Sequence, residues 1–168
     1  AVGAGRERKW GRALLGAFGL MLALTSAGES AFLGSLPQLA GTDGCVSETG
    51  TYGRCTDGTA LDWAFSVAVS PDGRHAYVAS YKSSAVAVFA RDEATGALTQ
   101  LAGTAGCVSE TGTGGLCADG TALRAAQSVA VSPDGWHVYV ASGISNAVAV
   151  FSRDEATGVL TQLPGTDG

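Results

Sequence analysis

The sequence predicts an all-β fold made of repeated four-stranded antiparallel sheets. Three observations carry this. Gly makes up 25 of 168 residues, about twice the usual share of roughly 7%. The hydrophobic runs are short and bounded by turn residues, which reads as strands. The whole pattern then recurs at a period of 62 residues, the kind of self-similarity that marks repeat architectures.

The repeat aligns 39–100 with 101–162 without a gap, and 14 of 62 positions differ. A third copy starts at Leu163-Pro164-Gly165-Thr166-Asp167-Gly168. An echo precedes the first: Gly34-Ser35-Leu36-Pro37-Gln38-Leu39 matches 96–101 at Gly, Leu, Gln and Leu.

Each unit yields four strands in order. The first is 66–70, followed by Pro71-Asp72-Gly73, where Pro presets φ and Gly supplies a positive φ. The second is 75–80 and leads through Tyr81-Lys82-Ser83-Ser84 to the third, 85–90. Arg91-Asp92-Glu93-Ala94-Thr95-Gly96 turns the chain into the fourth, 97–101, with Gly96 as the left-handed residue. The middle strands are apolar on both faces: Val86 and Val88 point one way, Ala87 and Phe89 the other. A sheet with one wet face alternates apolar with polar. A sheet packed on both faces is what a propeller blade needs between its neighbours. The expected fold is therefore a β-propeller of four-stranded antiparallel blades, here about two blades of an incomplete N-terminal fragment.

Ser-Pro-Asp-Gly, a strand with Tyr-Val, then Ala-Val-Ala-Val-Phe and a Thr-Gly-x-Leu turn resemble the YVTN/lactonase-type, 6-phosphogluconolactonase-like β-propeller repeats. The stretches are 70–80 with 85–98, and 132–142 with 147–160. The namesake motif stands as Tyr77-Val78-Ala79-Ser80 and Tyr139-Val140-Ala141-Ser142, departing in its last two positions. The resemblance implies a seven-bladed ring whose remaining blades lie elsewhere in the same chain. It implies no activity by itself, because the family mixes sugar-lactone hydrolases with surface-layer and other exported proteins. Within that frame the expected parts are a signal peptide at 1–27, an outermost strand of a closing blade at 32–40, and repeats at 41–102 and 103–162. The start of a truncated third repeat follows at 163–168. Open blade faces predict self-association of this piece.

The net charge of −5 hides an asymmetry. Residues 1–28 carry Arg6, Arg8, Lys9 and Arg12 against Glu7, a net of +3, so the rest carries −8. The basic cluster precedes an apolar run at 13–24 and the small residues Thr25-Ser26-Ala27, the order of a secretory signal peptide. The run is shorter than the roughly 20 residues that span a bilayer. Cleavage after Ala27 is expected, with a retained anchor as the alternative. The expected location is exported: periplasmic, cell-surface or extracellular, with no stable membrane insertion after cleavage. An acidic mature chain excludes a nucleic-acid partner.

Each unit carries an extra loop, 41–65 and 103–127, with the cysteine pairs Cys45/Cys55 and Cys107/Cys117. Four cysteines allow three pairings, and the repeat favours the local one. Nine residues between partners do not fit the close pairs of zinc motifs, and export supplies an oxidising compartment. Disulfides are expected, each worth roughly 2.5–3 kcal/mol in the chain-entropy model.

No catalytic, cofactor-binding or metal-binding residue is assigned. Ser70, Asp72 and His75 are close in sequence, as are Ser132, Asp134 and His137. They straddle a tight turn and recur in each unit, whereas an active site is built once, so turn chemistry is the reading preferred over a triad. The recurring acids lack the run of a calcium loop. Ten of the 14 differences between units fall in the long loop and in the link between the second and third strands. In a propeller these connections emerge on one side of the ring. Trp63, Tyr81, Lys82, Arg124 and Ile144 mark that side as a candidate face for an unknown ligand or protein partner; free drift of exposed loops is the plainer account. The expected role is a binding or structural module outside the cytoplasm, with a sugar-lactone hydrolase as the alternative.

Overall fold

The computed structural model describes residues 36–168. The expected signal peptide lies outside the described residues, as does 32–35 of the expected closing strand; 36–40 carry no strand. The architecture below is that of Pro37–Gly168.

Twelve strands follow in chain order: β1 Val46–Ser47, β2 Thr56–Asp57, β3 Ala64–Val69, β4 His75–Ser80, β5 Ala85–Arg91 and β6 Leu98–Gln100. After them come β7 Cys107–Ser109, β8 Ala118–Asp119, β9 Ala126–Val131, β10 His137–Ser142, β11 Ala147–Arg153 and β12 Leu160–Gln162. Strands β3 to β6 form one antiparallel meander, blade 1. Strands β9 to β12 form the second, blade 2. Among the described residues the only helical pieces are short 3-10 turns.

The turns work as their residues dictate. Ser70 and His75 close the first hairpin, with the Ser70 amide donating to the His75 carbonyl at 2.9 Å. Gly73 sits at φ 75°, a region open to Gly at no steric cost. Asp92 caps the other turn, accepting from the Thr95 amide at 2.7 Å and the Thr95 hydroxyl at 2.8 Å, an Asx-type device.

The cysteine loop does not belong to its own blade alone. Strand β6 pairs only with Phe89–Arg91 of β5, which leaves the first half of that edge free. Strand β7 fills it, pairing Ala85 with Ser109, Val86 with Val108 and Ala87 with Cys107. Loop 103–127 therefore starts as the outer edge of blade 1 and ends as the entry to β9 of blade 2. An unpaired edge is thereby covered, and the loop that leads into blade 2 is tied to blade 1 by backbone hydrogen bonds.

The core lies between the blades. Tyr77, Ala79, Val86 and Val88 on one face of blade 1 meet Val138, Val140, Ala149 and Phe151 of blade 2, with Val108 and Leu123 from the loop. The opposite face of blade 1 packs Ala76, Ala85, Ala87 and Phe89 against Cys107, Cys117 and Ala60. Frequent Ala at these positions lets the sheets approach closely.

Candidate functional site

The polar cluster richest in chemistry is built across the blade junction. Arg153, at the end of β11, enters it from blade 2 with its side chain 1% exposed. Its Nη2 donates to Asp72 Oδ2 at 2.6 Å and lies 2.9 Å from His75 Nδ1. Its Nε donates to the Tyr77 hydroxyl at 2.8 Å, and its Nη1 to the Gly135 carbonyl at 2.9 Å. The Tyr77 hydroxyl in turn donates to the Gly158 carbonyl at 3.0 Å. Since the guanidinium can only donate, His75 Nδ1 accepts and the ring proton sits on Nε2. Gly158 is required on two counts: its φ is 78°, and a Cβ there would lie 2.2 Å from the His75 ring.

The electrostatics follow from this packing. For Asp72, partial burial works upward, but hydrogen bonds from Ser70 and Arg153 win and hold the carboxyl far below its usual range. Burial, then the Arg153 charge, lowers His75 and keeps the ring neutral. Burial pushes Tyr77 up to about 12. For Arg153, burial opposes the charge, but Asp72 and Tyr77 raise the pKa on balance. The cluster is a neutral-His, charged-Asp, charged-Arg bracket between blades.

This geometry gives Ser70, Asp72 and His75 their roles. The Ser70 hydroxyl donates to Asp72 Oδ1 at 2.5 Å and accepts the His75 amide at 3.0 Å. The imidazole faces Arg153, so no Ser-His relay forms. Turn chemistry accounts for Ser70 and Asp72, as the spacing suggested. The partnership of His75 and Tyr77 with Arg153 was not foreseen. Its one signal in the sequence is that Tyr77/Tyr139 and Arg91/Arg153 are identical in both units. On blade 2 the Ser132 hydroxyl again bonds Asp134, which lowers that carboxyl.

The five candidate face residues fall on one rim, because the two connections of each blade are hydrogen-bonded together. The Tyr81 amide donates to the Trp63 carbonyl at 2.9 Å, and Lys82 Nζ pairs with Asp62 at 2.7 Å. In blade 2 the Ile144 amide donates to the Arg124 carbonyl at 3.2 Å. Trp63 stacks on Tyr81 with centroids 5.8 Å apart, and Phe65 tilts against Tyr81 at 5.6 Å. Ala125, Gln127 and Gly143 replace these three in the second unit, so the aromatic cluster belongs to blade 1 alone.

A hollow of about 350 Å³ opens on blade 2 between Gln127, Ser142, Asn146 and Val148. The buried Ser142 hydroxyl has no hydrogen-bond partner, and its counterpart Ser80 has none either. Among the described residues no three His, Cys, Asp or Glu side chains converge to hold a metal ion. No helix among them is long and apolar enough to cross a membrane. The cysteines pair locally as disulfides, Cys45 with Cys55 and Cys107 with Cys117.

Among solved structures, a periplasmic gluconolactonase of Pseudomonas aeruginosa is 27% identical, with TM-score 0.47 over 62% of this chain and 25% of that one. A Lactobacillus plantarum protein is 34% identical, with TM-score 0.43 over 58% and 26%. The chain thus spans about a quarter of the length of these structures. No curated protein matches it. The family model for lactonase, a seven-bladed β-propeller, matches residues 66–166. With two four-stranded blades and more than half of its length matched, the chain belongs to the lactonase family of seven-bladed β-propellers.

Proposed function

We propose that this chain is part of an exported lactonase-type hydrolase, which adds water across the ester bond of a sugar lactone to give the open hydroxy acid. The observation that carries the reading is the family match over 66–166. The two blades described supply wall and rim. His75, Tyr77, Asp72 and Arg153 are engaged with one another, and in this reading the reacting groups are drawn from other blades. Export is supported by the two disulfides, which persist in oxidising compartments, and by the basic-then-apolar leader. The test is titration of acid released from gluconolactone-type substrates by the intact protein at constant pH. Turnover well above spontaneous ring opening supports the hydrolase; none across a panel of aldonolactones retires it.

A second reading, a binding module, is favoured by the stack of Trp63 on Tyr81. Both faces of a sugar ring are partly apolar, and an exposed aromatic pair suits them. A Trp63→Ala variant that keeps its fold and loses binding to the aldonate acid supports this reading. Unchanged binding removes these aromatics from it.

A further inference from the structure

Loop 103–127 holds a strand pairing that its length does not ordinarily allow. Strands β7 and β8 run parallel, with Val108 opposite Ala118 and Ser109 opposite Asp119. Parallel neighbours usually need a crossover of about a dozen residues or more, and here only 110–117 lie between them. The chain returns through a left-handed run instead. Gly112, Thr113, Gly114 and Gly115 stand at φ 63°, 48°, 66° and 92°, a region that Thr113 occupies against its own Cβ. Hydrogen-bond support for the run is thin. The Cys117 amide donates to the Gly112 carbonyl at 3.0 Å, the Leu116 amide to the Thr113 carbonyl at 3.4 Å, and the Ser109 and Thr113 hydroxyls meet at 2.7 Å. The remaining restraint is the Cys107–Cys117 disulfide. It holds the first residue of β7 and the residue before β8 at a Cα separation of 4.8 Å.

The entry to blade 2 hangs on that pairing. With β7 against Ala85–Ala87, the Glu110 amide donates to the Ser84 carbonyl at 3.0 Å. The Glu110 carboxylate accepts the Leu123 amide at 2.6 Å, and the Ser84 hydroxyl accepts the Ala125 amide at 3.1 Å. Leu123 is fully buried in the core between the blades. We propose that closure of Cys107–Cys117 is a redox switch that docks this loop on blade 1 and so seats Leu123 and Ala125 at the junction. With both thiols reduced, the left-handed run relaxes and 107–109 leave Ala85–Ala87. The junction then loosens on its loop side, while each blade keeps its own meander. Closing the switch is a two-electron oxidation by a small-molecule or protein disulfide. One cysteine thiolate attacks that disulfide, and the second displaces the mixed bond. The two electrons and two protons end on the oxidant, which leaves as two thiols. In the docked loop Cys107 is 1% exposed and Cys117 3%, out of reach of an attacking thiol. The switch therefore closes once, as the chain meets an oxidising compartment, and stays closed.

The test is hydrogen exchange of the full chain, read peptide by peptide, in the oxidised wild type and in Cys107→Ser/Cys117→Ser. In the double variant 107–125 is expected to exchange about ten-fold faster or more, the mark of local opening. Strands β4 and β10 are expected to keep wild-type protection. Cys45→Ser/Cys55→Ser is the matched loss of a cross-link and is expected to leave 107–125 as in the wild type. Wild type refolded under a thiol reductant is expected to match Cys107→Ser/Cys117→Ser and to regain protection when oxidised glutathione is added. Wild-type exchange over 107–125 in Cys107→Ser/Cys117→Ser overturns the proposal, and so does a reduced chain that regains no protection on oxidation. Protection lost in β4 and β10 along with the loop also overturns it, because the bond is then a general cross-link of the fold. Faster exchange of 107–125 in Cys45→Ser/Cys55→Ser does the same, since docking then does not answer to its own disulfide.

Discussion

Val67 and Val129 hold the same place in two units that differ at 14 of 62 positions, yet Val67 is 62% exposed and Val129 only 6%. Tyr77 and Tyr139 show the reverse, with 0% in blade 1 and 39% in blade 2. Blade 2 has one dry face and one wetter one, whereas blade 1 is dry on both faces over β4 and β5 and open on its second face only along β3. The strands are nearly the same; what differs most is the neighbour. Blade 1 lends blade 2 its Tyr77 face, and blade 2 covers that face with Val129, Val138 and Phe151. Burial in this protein is a property of the junction, and the local sequence only makes a strand fit to be buried on either side.

The comparison breaks most visibly at the arginines. Arg153→Ala leaves Asp72 and Tyr77 without their partner and is expected to cost about 3 kcal/mol, the lower end for breaking a buried ion pair. Arg91→Ala in dilute solution is expected to cost about 0.5 kcal/mol or less, as at ordinary surface sites. Urea unfolding of the two variants side by side measures both. Equal losses would mean that the junction adds nothing to the bracket.

The valines come next. Val129→Ala is expected to cost about 2 kcal/mol through lost burial and a residual cavity. Val67→Ala is expected to stay within about 0.5 kcal/mol. The tyrosine hydroxyls sharpen the contrast on a smaller scale. Tyr77→Phe removes the acceptor of Arg153 Nε and is expected to cost about 1.5 kcal/mol. Tyr139→Phe is expected to be silent in the dilute chain.

The pH profile is the gentlest probe, and its sign is fixed by the buried bracket. His75 is held below the 6.5 of a free imidazole by burial and by Arg153. As pH falls through 6.5 the unfolded chain takes up a proton that the folded chain refuses, so stability drops. Asp72 adds a second loss. Its contribution is full above the ordinary 3.8 and disappears as pH falls towards its much lower folded value. At the alkaline end the unfolded tyrosine ionises near 10.0 while Tyr77 holds its proton to about 12, so stability falls across that interval. Thermal melts at stepped pH should show both limbs. His75→Gln is expected to flatten the acid limb near pH 6.5, and Tyr77→Phe to remove this residue's share of the alkaline one.

Much of the fold was legible because it is local. Pro71-Asp72-Gly73 and Asp92 to Gly96 carry their own turn chemistry, and the hairpins they close fall within two residues of the expected strands. The local cysteine pairing was legible for the same reason. The use of loop 103–127 was not. Its three residues Cys107–Ser109 look like part of the second unit, yet they pair with Ala85 to Ala87 of the first blade. Nothing in a three-residue strand names its partner; the partner is whichever edge a short β6 leaves uncovered. The bracket was hidden likewise. Arg153 lies 81 residues from Asp72, and a repeated arginine beside an Asp-Glu turn reads as a surface charge until a neighbouring blade faces it.

The sequence by itself determined the repeat, the four strands of each unit, their turns and the cysteine pairs. All of these depend on residues a few positions apart, where backbone preference and loop closure decide. The tertiary structure alone decided which blade each cysteine loop completes, which valines are dry, and that His75, Tyr77 and Arg153 form one buried cluster. Those outcomes depend on what packs against a face, and a strand with apolar residues on both faces is equally suited to either neighbour.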